Sequence, residues 1–278
     1  MVLEVLINPK KAEDKPWHIV FVSFVYSFIA IFFAHSMFPA ESSILSIALI
    51  TIIFIPFFQR LFVIEEKKEK VAARHLMQGN LFSRHKKIIY VFSAFFLGVI
   101  IAMSFIFIFF PQFNDVFNVQ AETMTSLGYN NQQATGQITE AQSYSFYRFF
   151  ENNTKVMMLV FVLSVLFGAG AIFILAWNAS IIAIYIGYFV QTLTNKGMAA
   201  TTAYLYGLPV GLATIALHGV PEIAAYFFAG LAGGILSVGI MREKLGGKNF
   251  HKIFIDALVF LAVAELLIFA AALLEAVF

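Results

Sequence analysis

Seven ionisable or amide side chains stand inside otherwise apolar stretches of the sequence: His35, Asn178, His218, Glu222, Asp256, Glu265 and Glu275. Burying such groups in hydrocarbon costs kilocalories, so each is a functional candidate until a partner is found. The tightest grouping is His218-Gly219-Val220-Pro221-Glu222. On an unbroken helix, His and Glu four residues apart would share one face and could hold a divalent metal such as zinc. Pro221 argues against an unbroken helix, because it lacks an amide donor and disfavours helical geometry at Val220. The segment is therefore expected to join two helices, with Gly219 closing the first and Pro221 opening the second. His218 would then lie at a C-terminal helix end and Glu222 in a first turn, where the helix dipoles favour their charged forms. Facing helix ends of this kind form ion, metal or substrate sites in discontinuous membrane helices, and they also serve as plain structural caps. A metal at His218 and Glu222 needs further ligands, which Glu265 and Glu275 could supply as carboxylates. No His-Glu-x-x-His signature accompanies them. Glu265, near the middle of the last apolar run, must be protonated or paired with His218, Tyr204 or Tyr206. His35 and Asp256 fall within about one turn of a span end and are expected to reach the interface.

The elements that carry these residues follow from composition. Of 278 residues, 60% are hydrophobic, 17% aromatic and only 12% Asp, Glu, Lys or Arg, about half the charge of an ordinary soluble domain. With 34 Phe and a mean hydropathy of +0.85, too few polar side chains remain to coat a water-soluble globule. The partner solvent is a lipid bilayer. A net charge of +2 gives no support for a nucleic-acid partner. The absence of cysteine removes disulfides, thiolate metal sites and cysteine nucleophiles together. Neither a dinucleotide fingerprint nor a phosphate loop is present.

Runs of about 20 apolar residues mark the crossings. Trp17 to Phe38 and Ser43 to Ile64 are separated by four residues and must form an antiparallel hairpin, the second helix kinked at Pro56. The start, Glu4 to Lys15, lacks the short apolar core of a cleaved leader, so the first span is expected to be retained. The charged stretch 65–87 reads as a solvated, amphipathic helix on the membrane surface and as a docking surface for membrane or cytoplasmic protein partners. Ile88 to Phe110 is a third span, and the segment 112–153 forms a polar exterior loop rich in Asn, Gln, Thr and Ser. Val156 to Ala176 and Trp177 to Leu193 follow, with a turn expected at Trp177-Asn178-Ala179-Ser180. Met198 to Met241 exceeds forty residues. Two full crossings there would export Arg242, Lys244, Lys248 and Lys252, against the excess of cytoplasmic Lys and Arg in membrane proteins. The expectation is that 198–222 enters and returns as a broken re-entrant hairpin, while Ile223 to Met241 crosses and Ile253 to Leu274 crosses last. The fold class is thus all-α, a polytopic transmembrane bundle of about seven spans plus a re-entrant hairpin, with eight spans as the alternative. The chain forms one membrane domain, 1–278, whose parts are three N-terminal spans (1–111), the polar loop (112–153) and a core (154–278). It is expected in the cell membrane with its N-terminus cytoplasmic and its C-terminus exterior. Gly230 and Gly234, and Ser164 and Gly168, have the spacing that permits close helix contact, within one chain or in a homodimer.

Phe149-Phe150-Glu151-Asn152-Asn153 before a glycine-containing span, an Asn at the next turn, His218-Gly219-Val220-Pro221-Glu222, and Ala271-Ala272-Leu273-Leu274-Glu275-Ala276 occur in that order. In this the chain resembles the stage II sporulation protein M family over about 146–278. The resemblance marks Asn153, Asn178, His218, Glu222 and Glu275 as the family's positions. It implies an integral membrane scaffold, since the namesake members organise a complex of peptidoglycan-degrading enzymes during spore engulfment, though relatives also occur in archaea and other non-spore-formers. Trp177-Asn178-Ala179 departs from the usual Asn-Gly, which weakens the tight turn at that place. Three functions are carried forward. The first is a complex-organising scaffold with a buried polar centre at His218 and Glu222. The alternatives are an ion or small-solute transporter or channel, and a membrane-embedded metal-binding protein or metallohydrolase. No complete catalytic set supports the last.

Overall fold

The computed structural model describes residues 9–73, 81–126 and 141–277. These residues form an all-α bundle. A short helix α1 (Pro9–Asp14) precedes α2 (Trp17–Met37), α3 (Ser42–Ala73), α4 (Leu81–Phe109), α5 (Asn118–Ser126), α6 (Ala141–Phe167), α7 (Ala171–Asn195), α8 (Ala200–Arg242) and α9 (Lys248–Val277). Seven of them, α2 to α4 and α6 to α9, are long and apolar enough to cross a membrane. Their outer faces carry Phe21, Ile52, Leu205 and Leu266, each more than half exposed. In water such a surface would aggregate; in lipid it is the expected exterior, and the helices satisfy their own backbone.

The expected re-entrant hairpin is overturned: α8 runs unbroken for 43 residues through both Pro209 and Pro221. The physical reason lies in the solvent. Each proline removes one backbone bond from a continuous helix, whereas a break and reversal in hydrocarbon would strand several donors and acceptors at once. Gly219 and Pro221 therefore sit inside a helix and close none. A 43-residue helix is about 64 Å long, twice the hydrocarbon thickness of about 30 Å, so its excess length is taken up by tilt or by projection past the layer.

The turn between the fourth and fifth spans is also misplaced in the sequence reading. It falls at Gly168-Ala169-Gly170, and Trp177 to Ser180 lie inside α7. Gly168 has φ +73°, a conformation that glycine adopts without strain, and the Ser164 hydroxyl accepts a 3.1 Å hydrogen bond from the Ala171 amide at the start of α7. Hydropathy shows no dip there, which is why apolar run length alone divides the stretch wrongly.

Helix α8 is the axis of the bundle. Along α7 it runs antiparallel, with Gly211 against Ile186 and Gly230 against Ala171. A Cβ on Gly233 would lie 2.5 Å from the Phe161 carbonyl oxygen of α6, and one on Gly234 would lie 2.6 Å from the Phe62 ring of α3. The small residues thus permit contact between helices of one chain. Across the core, Phe58, Phe92 and Phe227 form a stacked column linking α3, α4 and α8, with ring centroids 5.0 and 5.5 Å apart. Such pairs add about 0.5–1.5 kcal/mol beyond area burial.

At the charged end of the bundle, the expected surface helix is replaced by two helix extensions. Residues 65–73 prolong α3 and 81–87 begin α4; positions 74–80 of the expected stretch lie outside the described residues. Glu65, Glu66 and Glu69 are buried, not solvated. The His85 imidazole lies between Glu65 and Glu69, with one ring nitrogen on each carboxylate, so both nitrogens must carry a proton. Arg84 reaches Glu69 and Asp256, each at 3.2 Å, and Lys252 also pairs with Asp256. Asp256 is therefore tied into the bundle and does not snorkel. Lys68 bridges Glu65 at 2.6 Å and Glu13 at 3.0 Å, joining α1 to α3. Burial, together with the hydrogen bond to Glu65, raises the Glu13 carboxyl above its ordinary value. Lys67, Lys86 and Lys87 are the residues of this region that stay exposed.

Seven crossings place both ends of α8 on opposite sides. The chain has no native cysteine, so single reporters at Thr125, Lys196 and Lys248 test this directly. Impermeant thiol labelling of intact cells is expected to treat the first two alike and the third oppositely. Labelling of Lys196→Cys and Lys248→Cys from the same side would remove the single crossing of α8.

Candidate functional site

Halfway along α8, a cavity of about 140 Å³ opens between α5, α6, α7, α8 and α9. Its polar lining is Asn152 and Asn153 from α6, Asn178 and Tyr185 from α7, His218, Glu222 and Tyr226 from α8, and Glu275 from α9. Phe149, Ile181, Ile182, Ile215 and Ile223 form apolar walls, and Met124 of α5 contributes from the polar-loop side. The five positions singled out above, Asn153, Asn178, His218, Glu222 and Glu275, thus meet around one space, although 123 residues of chain separate the first from the last.

Local structure explains how. Because α8 is continuous, His218 and Glu222 are one helical turn apart on a single face, the geometry that the proline seemed to forbid. Gly219 lies between them, and a Cβ there would meet nothing nearer than the Ile215 Cβ at 3.9 Å. Tyr226, one further turn along, donates its hydroxyl to Glu222 Oε1 at 2.8 Å. Asn178 donates to the Ile174 carbonyl of its own helix at 2.8 Å, which fixes its amide. Asn152 donates to Asn153 Oδ1 at 3.1 Å. Tyr185 and Thr214 share a 3.1 Å hydrogen bond that ties α7 to α8 at one rim. Phe146 and Phe150 pack edge-on against Phe269, fastening α6 to α9 nearby.

The other candidates lie elsewhere. Glu265 accepts a 3.0 Å hydrogen bond from Thr154, not from His218, Tyr204 or Tyr206, and it does not line the cavity. Tyr204 instead donates to the Ile101 carbonyl at 3.1 Å. His35 closes α2 edge-on against Phe113, its buried Nδ1 without a hydrogen-bond partner among the described residues. Nor do the described residues offer three or more His, Asp or Glu side chains gathered closely enough to hold a metal ion. His218 and Glu222 share a face, but Glu265 is not a third ligand to them, so the donor set expected for zinc is incomplete. Tyr226 and Tyr185 were missed from sequence; the first follows Glu222 at the same four-residue interval by which Glu222 follows His218, a signal hidden once Pro221 is taken as a break.

A family model described as "Stage II sporulation protein M" matches residues 88–278. The chain belongs to the stage II sporulation protein M family. The match begins at the third span, so it covers more than the 146–278 over which the motifs alone carry the resemblance, and it includes every helix that builds the cavity. No curated protein and no solved structure matches the chain. As a family member it is an integral membrane protein built of apolar helices, and all five residues that the family pattern marks face the same chamber.

Proposed function

We propose that this stage II sporulation protein M relative binds a small polar solute in the chamber at the middle of α8 and lets it permeate the membrane. The observation that carries this reading is that the polar side chains line open space. If their task were only to brace the bundle, they would be expected to pair with one another and leave none. The scaffold reading assigned them that bracing task around a re-entrant element, and α8 contains no such element. Hydrated polar space between helices is where membrane proteins place solute sites, because hydrogen-bonding groups and water can be kept there away from lipid. Glu222 and Glu275 supply negative charge, and the asparagines and tyrosines supply oriented dipoles.

The test is osmotic swelling of proteoliposomes in a panel of small solutes: an alkylammonium salt, an amide, a carboxylate salt and a polyol. At least one is expected to enter faster than in protein-free liposomes. Entry of none of them at a protein-dependent rate would sink the proposal. A role in organising other proteins would show differently, as partners that are captured by the wild type and lost when Lys67, Lys86 and Lys87 are replaced.

A further inference from the structure

The chamber's chemistry narrows the solute further, and this step rests on the permeation reading only for its transport consequence. Counting hydrogen-bonding capacity shows an excess of acceptors. The Tyr226 hydroxyl hydrogen is taken by Glu222, an Asn178 amide hydrogen by Ile174, and an Asn152 amide hydrogen by Asn153. What these groups leave toward a ligand are oxygens: the carboxylates of Glu222 and Glu275 and the amide carbonyls of Asn152 and Asn178. No Lys or Arg lines the chamber among the described residues, and His218 is its one basic side chain there. An anion or a carbonyl compound would face lone pairs. A cationic donor would be met by complementary charge, with the rings of Tyr185 and Phe149 on its flanks.

Size and polarity add a second restriction. A cavity of about 140 Å³ is close to the roughly 150 Å³ that accepts benzene, so it holds about six heavy atoms. Isoleucine walls on one side and carboxylates on the other suit a molecule with a short carbon chain and a charged head. Bare metal ions need several ligands converging at about 2–2.6 Å, a gathering of acidic and imidazole groups that the described residues do not provide. We infer that the chamber is a site for a small primary ammonium ion with a short apolar chain.

The probe is n-butylammonium, and its binding to the purified protein in detergent is measured by calorimetry against butyramide, butyrate, sodium, potassium and tetrabutylammonium. Saturable binding of n-butylammonium is expected, with little or none of the others. The ion should bind about thirtyfold more weakly to Glu222→Gln and to Glu275→Gln, as loss of one partner of a buried charge implies. Size-exclusion profiles identify a variant that has failed to fold, and the wild-type selectivity series needs no variant. Equal binding of butyramide or butyrate, or unchanged affinity in both variants, would overturn the assignment. Selective binding without protein-dependent flux would support the cation site and overturn permeation; flux of butyramide without preference for the ammonium would do the reverse.

Discussion

Replacing His85 by Ala is expected to destabilise the folded protein by about 3–5 kcal/mol, because it leaves the buried carboxylates of Glu65 and Glu69 facing each other without the cation between them. Both acids are fully buried at the junction of α3 and α4, so water cannot replace the lost imidazolium without opening that end. In a chain of this size the change corresponds to a melting point roughly 6–20 °C lower, measurable by fluorescence-detected thermal unfolding in detergent. The companion variant His85→Gln with Glu65→Gln should recover much of the loss, since it removes one negative charge together with the positive one and keeps hydrogen-bonding groups at both positions. A single His85→Ala variant melting within two or three degrees of the wild type would show that the cluster is solvated and not the clamp described. Glu243, at the same end, sets a milder limit. The Lys70 ammonium at 2.5 Å and the Asn249 amide hold its carboxyl below the ordinary value. Its contribution is therefore fully present at neutral pH and is lost only as pH falls through that depressed value.

This cluster shows where the sequence could be read and where it could not. The crossings of α2, α3 and α4 follow from apolar run length and polar boundaries, since a helix in lipid answers to little else. Glu65 and Glu69, by contrast, look like solvent-facing charges beside Lys67, Lys68 and Lys70. Only the hairpin, which lays α4 against α3, reveals that one face of that charged turn is interior. A signal was present: carboxylates four residues apart just past one span, and Arg84-His85 just before the next. In α8 the error has a different source. Glycine and proline are breakers in water, where an opened backbone is rehydrated; in hydrocarbon no such compensation exists, and the helix keeps its bonds through Gly219 and Pro221. The five chamber residues could be named in advance because polar groups in apolar runs are conspicuous. Their convergence could not, since it depends on the turn at Gly168, which sets the phase of α7 and hence the face on which Asn178 lies.

Two glycines fourteen residues apart on α8 separate the fold from the chamber. Leu at Gly233 would drive a Cβ to 2.5 Å from the Phe161 carbonyl oxygen and 2.6 Å from the Ser164 Cβ, both on α6. Neither the backbone nor the Cβ can swing aside, so α6 and α8 must separate, at a cost of about 3 kcal/mol or more. Leu at Gly219 meets the opposite condition. Its Cβ has open space, the backbone is helical, and leucine is more favourable than glycine in a helix by roughly 0.5–1 kcal/mol. The added side chain occupies the cavity between His218 and Glu222 and displaces whatever the wild type admits. Gly219→Leu is therefore expected to melt at or slightly above the wild-type temperature, while its proteoliposomes swell at the protein-free rate. Gly233→Leu is expected to lose stability and yield. Because the plugged protein stays folded, its loss of flux cannot be ascribed to unfolding, and wild-type flux through a folded Gly219→Leu protein would place the permeation path outside the chamber.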